Sequence, residues 1–596
     1  MRRAEKKDRV NIFYVFEDLA KNPKTAGRTF LIIPKDESNP GQKTEWTYVE
    51  AYEIVLKHAA WLKNEQHVQK NEIIAMNFKN GPEFIWIWFA LWSLGAVPAF
   101  MNYNLRDSAF IHSVTVSTAR LLLVGSPLKD CLTDEVLQAF TPDKKGRAVD
   151  AVVLDADVQQ QILAQTPYRA PDEARSGAMS STPAMLIYTS GTTGLPKAAS
   201  VQWSKPWSGV KLFSTLIGLK KDDRYLTALP LYHSSGSVLG VLQPLNTGAA
   251  VIVLPSFSPR TFMRHVHETR ATGIHYIGEM CRYLVAAPPT PYDQAHNVRF
   301  AFGNGMRPDV WQKFKDRFNI PTIVEFYGAT EGAGSSYVNS RNSFLRGAIG
   351  RQGTLLRMLP GQLLVKHDMN TDMPYRDPKT GFCVKCAFDE AGEALVVLDP
   401  NDIAARYVGY FGNDQATDSK ILRDVLKKDD CYYRTGDLQR RDAEGRLWFV
   451  DRVGDTFRWK SENVSTLEVS QAMGEHPKVS EANVYGVEVP NADGRAGCAA
   501  IVLAGEQKMD ENLARDLAAH AKQKLPLYAV PLFLRLMKTV EITGTLKHQK
   551  VQLRKQGADP EHIGEDEMYW LERGADKYVK LGERDWKRIV GGEAKL

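Results

Sequence analysis

A chain of 596 residues is too long for one ordinary hydrophobic core, so at least two domains are expected. Its 43% hydrophobic and 24% charged residues exclude the disordered and collagen-like classes, and a net charge of +6, from 76 basic and 70 acidic residues, gives no indication of nucleic acid and suits anionic small ligands. Six irregularly spaced cysteines without a signal peptide argue for free thiols in a reducing compartment, and the one close pair, Cys383 and Cys386, lacks the second pair that a zinc site needs.

The basic opening MRRAEKKDR reads as a solvated terminus. Apolar Tyr52, Val55, Leu56, Ala59 and Leu62 recur at helical spacing, and EIIAMNF from Glu72 reads as a strand. The stretch from Phe84 to Phe100 falls short of the ~20 residues that cross a bilayer. It reads as a buried helix turning through Gly95 and Pro98 into a strand, with core burial of Trp86, Trp88 and Trp92 favoured over peripheral membrane contact. A helix near Phe110 and a buried strand Leu121 to Val124 continue an α/β pattern with helices covering a parallel sheet. The alternation returns in strand Ala250 to Leu254, a helix after Pro259, strand Val298 to Phe302, helix Pro308 to Phe318 and strand Thr322 to Phe326. After Asp451 the elements shorten: a helix from Ser465, strands Asn483 to Val489 and Ala499 to Leu503, and a helix Asn512 to Lys522, as in a small α+β domain.

The most informative segment is Tyr188 to Lys197, YTSGTTGLPK, directly after the apolar strand Ala184 to Ile187. Gly191 and Gly194 free the backbone to bring amides toward an anion, Thr189, Ser190, Thr192 and Thr193 add hydroxyls, and Lys197 adds a positive charge, so the loop suits a polyphosphate. It is not a GxxxxGK[ST] loop, because Lys197 follows Pro196 and precedes Ala198.

YTSGTTGLPK resembles the signature loop of the adenylate-forming superfamily, and further segments resemble its other motifs in order along nearly the whole chain. The resemblance implies an α/β fold with a large multi-subdomain N-terminal adenylate-forming domain of parallel-rich sheets, residues 1–453, and a small mobile α+β C-terminal domain, residues 454–596. It implies ATP, Mg²⁺ and coenzyme A as cofactor and co-substrates. In YGATEG it implies that Tyr327 and Gly328 lie at adenine, that Thr330 contacts the α-phosphate and that Glu331 holds magnesium. An aromatic face suits a base, and a carboxylate is a hard ligand for Mg²⁺. In YRTGDL, Asp437 takes the ribose hydroxyls, joined by Arg452, and Gly303, Asn304 and Gly305 resemble the platform beside adenine. TGTLK resembles the loop that delivers a catalytic lysine, Lys547, to stabilise charge as pyrophosphate leaves. Gly454 falls at the superfamily's hinge, and the stretch Lys460 to Asn463 at its thiol tunnel.

Within the superfamily, NYNLR from Asn102, PLYHSSGS from Pro230, GNGMRPDVW from Gly303 and VGDTFRWKSENVST from Val453 resemble the fatty acid transport protein and very-long-chain acyl-CoA synthetase group. The substrate this implies is a long or very long fatty acid, with His233 beside the acyl tunnel and Val238 to Leu242 either lining it or forming core. Ser461 stands where the group has Gly, and Ala333 where Asn is common, which leaves CoA handling and chain length open. The membrane-associated segment with which members of the group tend to begin is absent ahead of Met1, so a shorter form or one only peripherally attached is the expectation. The ending Ala594, Lys595, Leu596 resembles the SKL address of the peroxisomal import receptor. Three alternatives stay open: a ligase for a branched, sterol-derived or secondary-metabolite acid, a transport protein with secondary or lost ligase chemistry, and an adenylation module that loads a carrier protein.

Overall fold

The computed structural model describes residues 2–35, 41–142, 148–189, 195–354, 361–369, 371–460, 462–490, 492, 494–505, 507–539, 550–594 and 596. They form two units, one of Met1–Met306, Lys313–Leu345 and Leu398–Ile421, the other of Arg307–Gln312, Arg346–Val397 and Leu422–Leu596.

The first unit holds two parallel-rich sheets. One runs Asp150–Leu154, Leu121–Gly125, Ile73–Asn77, Val97–Phe100, Pro183–Thr189 and Lys197–Gln202, with only the last pairing antiparallel. The strands Ile73–Asn77 and Leu121–Gly125 are apolar and almost wholly buried, as expected of strands covered on both faces. Between them in sequence lies the helix Pro82–Ser93, buried from Phe84 to Ser93. Its Trp92 Nε1 donates to the Ala184 carbonyl at 2.8 Å, fixing the helix against the strand that leads into the expected phosphate loop. The tryptophans of this stretch are core residues, and no helix among the described residues is long and apolar enough to cross a membrane.

The second sheet of this unit runs Ser335–Ser340, Ile323–Gly328, Phe300–Asn304, Gly273–Ile277, Arg224–Thr227, Ala250–Val253, Thr29–Pro34 and Lys43–Thr47. Its inner six strands are parallel and its two edge strands antiparallel. The helix Tyr48–Asn64 begins in a capping box, with Thr47 and Glu50 bonding each other's backbone amides, which explains why it starts where the sequence changes from strand to helical spacing. The opening segment, expected to be solvated, forms the short helix Arg2–Lys6 and is tied down by acids between its bases. Glu5 accepts from the Ser180 amide at 2.9 Å and Asp8 from the Gly177 amide at 2.8 Å, while Lys6 and Lys7 stay exposed.

In the second unit one sheet has a main path of Gly350–Arg351, Arg446–Arg452, Cys431–Arg441, Gly392–Leu398 and Gln362–Val365. Another runs Val479–Glu488, Arg495–Leu503, Phe533–Leu536, Glu567–Trp570 and Val579–Lys580, and shares a core with the helices Thr466–Gly474 and Glu511–Lys524. Ser465 caps the first of these helices by accepting from the Glu468 amide. All six cysteines are free.

Candidate functional site

The expected phosphate loop joins two paired strands of the first unit. Tyr188 lies opposite Ala198 and Thr189 opposite Lys197, so the two ends of the loop are neighbours in an antiparallel ladder; Ser190, Gly191, Thr192, Thr193 and Gly194 lie outside the described residues. Tyr188 is buried and its hydroxyl donates to the Ser113 carbonyl at 2.7 Å, with burial pushing the phenol well above its ordinary pKa. Its side chain therefore anchors the loop's entry to the helix Asp107–Val116. At the other end, the Lys197 ammonium sits 5.6 Å from the centroid of the Tyr410 ring.

Tyr410 connects that lysine to the YGATEG segment. Tyr327 and Gly328 end the strand Ile323–Gly328, and the chain turns through 329–334 before pairing back as Ser335–Ser340. Three side chains from separate stretches hold this turn. The Tyr410 hydroxyl donates to Glu331 Oε1 at 3.0 Å, the hydroxyls of Ser234 and Thr330 share a hydrogen bond of 2.8 Å, and Lys205 Nζ donates to the Thr330 carbonyl. Burial, reinforced by Glu331, raises the Tyr410 phenol far above its usual range. Burial pulls the Lys205 amine down to about 8, against the attraction of Glu331. Glu331 and Thr330 offer hard oxygen atoms, and no group of three or more His, Cys, Asp or Glu among the described residues forms an all-protein cage. A donor set this sparse fits a magnesium ion that draws most of its ligands from phosphates and water. Ala333 follows in the same connection and is part-buried.

Behind the GNG segment lies a carboxylate that the sequence reading missed. Gly303 and Asn304 end the strand Phe300–Asn304, and Glu325, on the neighbouring strand, accepts from the Gly305 amide at 2.9 Å and the Met306 amide at 3.0 Å. Tyr276 donates to the same carboxyl at 2.5 Å. Burial raises Glu325 to about 8, outweighing the hydrogen bonds from Tyr276 and the two amides. The helix that begins at Gly278 packs closely here: a Cβ at Gly278 would stand 1.7 Å from the Gly305 carbonyl oxygen, so glycine is required there.

On the expected acyl side, His233 is part-buried, with its ring 4.5 Å from that of Tyr232, centroid to centroid. Tyr232 in turn stacks edge-on against Tyr103 at 5.0 Å and accepts from Asn104 at 3.3 Å, which brings the NYNLR and PLYHSSGS segments together. Val238 to Leu242 are buried in the main core of this unit, at the end of a π-helical segment Ser235–Val241 that the periodicity did not foretell.

In the second unit, Asp437 and Arg452 face each other across the antiparallel strands Cys431–Arg441 and Arg446–Arg452, which places the two expected ribose residues side by side. Thr435 donates to the Ala394 carbonyl at 2.7 Å and accepts from the Asp437 amide at 3.1 Å. Asp451 is buried and accepts from the Thr466 amide at 2.6 Å and the Thr466 hydroxyl at 2.9 Å. Gly454 follows at φ +83°, with nothing within 4 Å of an added Cβ. Beyond it, Asp455 pairs with Arg554 at 2.6 Å and Lys550 at 3.4 Å.

Lys460 holds a left-handed φ of +50°, and its Nζ donates to the Leu596 carbonyl at 2.5 Å beside a cavity of about 230 Å³ lined by Trp459, Pro490, Ala492 and Ile589. Burial and the nearby Arg573 lower its pKa. Ala594 and Leu596 pack against the core of this unit. Lys547, Ser461 and Lys595 lie outside the described residues.

Three residues that organise these places escaped the sequence reading, and Ser234, within PLYHSSGS, was expected on the acyl side rather than at Thr330. Glu325 carried a signal, a lone acid inside the apolar strand Ile323–Gly328. Lys205 and Tyr410 carried none, since each acts on a turn about 80 or more residues away in sequence.

Comparison with known proteins identifies the family. The family model described as AMP-binding enzyme matches residues 19–387, and that of the AMP-binding enzyme C-terminal domain matches residues 468–547. The chain is 38% identical to a very long-chain fatty acid transport protein of Cochliobolus heterostrophus over 99% of its own length and 89% of the relative's. It is 36% identical to isopenicillin N epimerase component 1 of Hapsidospora chrysogena over 92% of its own length and 86% of the relative's. Among solved structures, the anthranilate CoA ligase AuaEII in complex with anthranoyl-AMP superposes with a TM-score of 0.75 at 19% identity, covering 91% of this chain and 96% of that one, which speaks to the fold. On the family match and the near full-length relatives, the chain belongs to the AMP-binding enzyme family, the adenylate-forming acid–thiol ligases.

Proposed function

We propose that the chain is an ATP-dependent long or very-long-chain fatty acid CoA ligase that forms an acyl-adenylate, releases pyrophosphate, and then transfers the acyl group to coenzyme A with release of AMP. The observation that carries this reading is the held turn at Thr330 and Glu331, joined through Tyr410 to Lys197 at the phosphate loop. Lys197 supplies positive charge to the polyphosphate, Thr330 and Ser234 present hydroxyls at the α-phosphate, and Glu331 is the residue that would hold Mg²⁺. When bound, that ion neutralises charge on the phosphate oxygens. Tyr327 and the Gly303 to Gly305 platform receive adenine, while Asp437 and Arg452 receive ribose. Lys547 stabilises the charge that builds as the carboxylate attacks the α-phosphorus. Gly454 is the pivot that exchanges Lys547 for the stretch around Lys460, so that one site serves two half-reactions. A fatty acyl substrate is supported by the name of the Cochliobolus relative.

The isopenicillin relative favours a second reading, a ligase for a secondary-metabolite carboxylic acid using the same machinery. CoA-dependent AMP release with a panel from medium to very long fatty acids, plus branched, sterol-derived and amino-acid-derived acids, decides between them. Turnover of long fatty acids supports the first reading; turnover confined to the other acids supports the second; adenylate without thioester removes CoA. Peroxisomal delivery through Ala594, Lys595 and Leu596 is proposed on the tripeptide alone. A reporter bearing the last dozen residues that stayed cytosolic would count against it.

A further inference from the structure

We infer that Lys205 is a positioning residue for nucleotide and metal binding, holding the Thr330–Glu331 turn from behind through the Thr330 carbonyl. The inference rests on the ligase reading above and deepens it. No sequence motif contains Lys205; the chain on either side of it sets its place in the fold. The strand Lys197–Gln202 begins with the phosphate-loop lysine and runs directly into the short helix Ser204–Trp207, so one stretch of chain supplies both cations. That stretch is bolted to the body of the first unit. The Trp203 amide donates to the Thr182 carbonyl at 3.1 Å, the Ser204 amide to the Ser180 carbonyl at 3.0 Å, and Trp207 Nε1 to the Val10 carbonyl at 2.7 Å. Trp203 also packs on Trp92 with ring centroids 4.8 Å apart. The ammonium is thus carried by a fixed backbone to a backbone acceptor, the carbonyl between Thr330 and Glu331.

The geometry separates this contact from the other two that hold the turn. Ser234 fixes the Thr330 hydroxyl and Tyr410 fixes one oxygen of Glu331, so both act on side chains that the nucleotide and its metal also use. Lys205 acts on the peptide itself and competes with neither. A charge-assisted hydrogen bond to a carbonyl is stronger than a neutral one, and it orients the peptide that sets where both side chains point. Glu331 also attracts the ammonium, opposing the burial that lowers its pKa. Lys205 therefore governs how readily the turn takes up MgATP and leaves the acid's own binding alone.

The test uses the full chain and ATP–pyrophosphate exchange, titrated separately in MgATP, free Mg²⁺ and acid. Lys205→Met is expected to raise the MgATP concentration for half-maximal exchange about tenfold, with the half-saturating acid concentration unchanged. Lys205→Arg, which keeps charge and donors, should recover to within about threefold of wild type. A melting temperature close to wild type separates positioning from loss of fold. Should Lys205→Met aggregate, Lys205→Gln keeps a donor without the charge and should still shift the MgATP dependence upward. Wild-type MgATP dependence in Lys205→Met, or in Lys205→Gln where that variant replaces it, would overturn the inference, as would an equal shift for MgATP and acid. Absence of exchange by the wild-type protein with every acid would instead remove the ligase reading, and this inference with it.

Discussion

Two turns separate the demands that adenylation chemistry makes on a chain. At 329–332 in the first unit the turn itself is held: the Thr330 hydroxyl and carbonyl and the Glu331 carboxylate each have a partner from a different stretch of sequence. At Gly454, the proposed pivot in the second unit, the flanking residues are held, Asp451 by Thr466 and Asp455 by Arg554 and Lys550, while a Cβ added at the glycine would meet nothing within 4 Å. A group that binds charge needs a fixed direction, because misplacement by about 1 Å can cost on the order of 10²-fold in rate. A pivot needs the reverse, a residue whose dihedral can change without losing a contact.

The largest expected effect tests the proposed delivery of Lys547. Lys547→Ala should reduce adenylation by at least about 10²-fold while thioester formation from added acyl-adenylate stays near wild type; equal loss of both half-reactions would remove Lys547 from the proposed role. Next, Gly454→Pro forces φ to about −65°, away from the +83° in the structure. The ratio of the two half-reactions should change about tenfold or more, and an unchanged ratio would mean that the pivot lies elsewhere.

On the held side, Tyr410→Phe deletes the donor to Glu331 but keeps the ring over Lys197. A bond to a charged acceptor is worth about 1.5–3 kcal/mol, so pyrophosphate exchange should fall by about 10- to 100-fold at limiting MgATP, with both half-reactions otherwise in proportion. A further prediction concerns stability rather than rate. Glu325 has a folded-state pKa of about 8 against an ordinary 4.5, so the folded chain keeps a proton that the unfolded chain releases. Its contribution is full below pH 4.5 and is lost as pH rises through 8. Urea midpoints at pH 5 and pH 8.5 should show a steeper fall for wild type than for Glu325→Gln; parallel slopes would show that the carboxyl does not hold the proton.

The sequence was most legible where information is local. Periodicity placed the helix Tyr48–Asn64 and the strand Leu121–Gly125, and the apolar stretch at Phe84 was read as a buried helix because it was too short and too interrupted to span a bilayer. Motifs brought Asp437 and Arg452 into view from separate segments, and the structure sets them directly opposite each other. What stayed hidden was the support behind the motifs. A lysine in SKPW and a tyrosine in VGYF look like any others until the fold brings Lys205 to Thr330 and Tyr410 to Glu331. The phosphate-loop tyrosine shows the same limit from the other side, since the motif could not say that its hydroxyl is committed to the Ser113 carbonyl.

The path of the backbone gives the Tyr410 contact a consequence for synthesis. The first unit leaves off at Leu345 and is rejoined only by the stretch Leu398–Ile421. A ribosome that has made both nucleotide motifs of this unit has therefore not yet made the residue that links them. At about 5–20 residues per second, roughly 3–13 s pass before Tyr410 follows Leu345. During that interval the nascent chain carries the YGATEG turn with two of its three supports and with the Ala199 edge still waiting for its partner at Tyr410. A product truncated after Leu345 would hold both nucleotide motifs of the first unit and lack the Tyr410 support between them, so the presence of those motifs in a fragment is no measure of its competence.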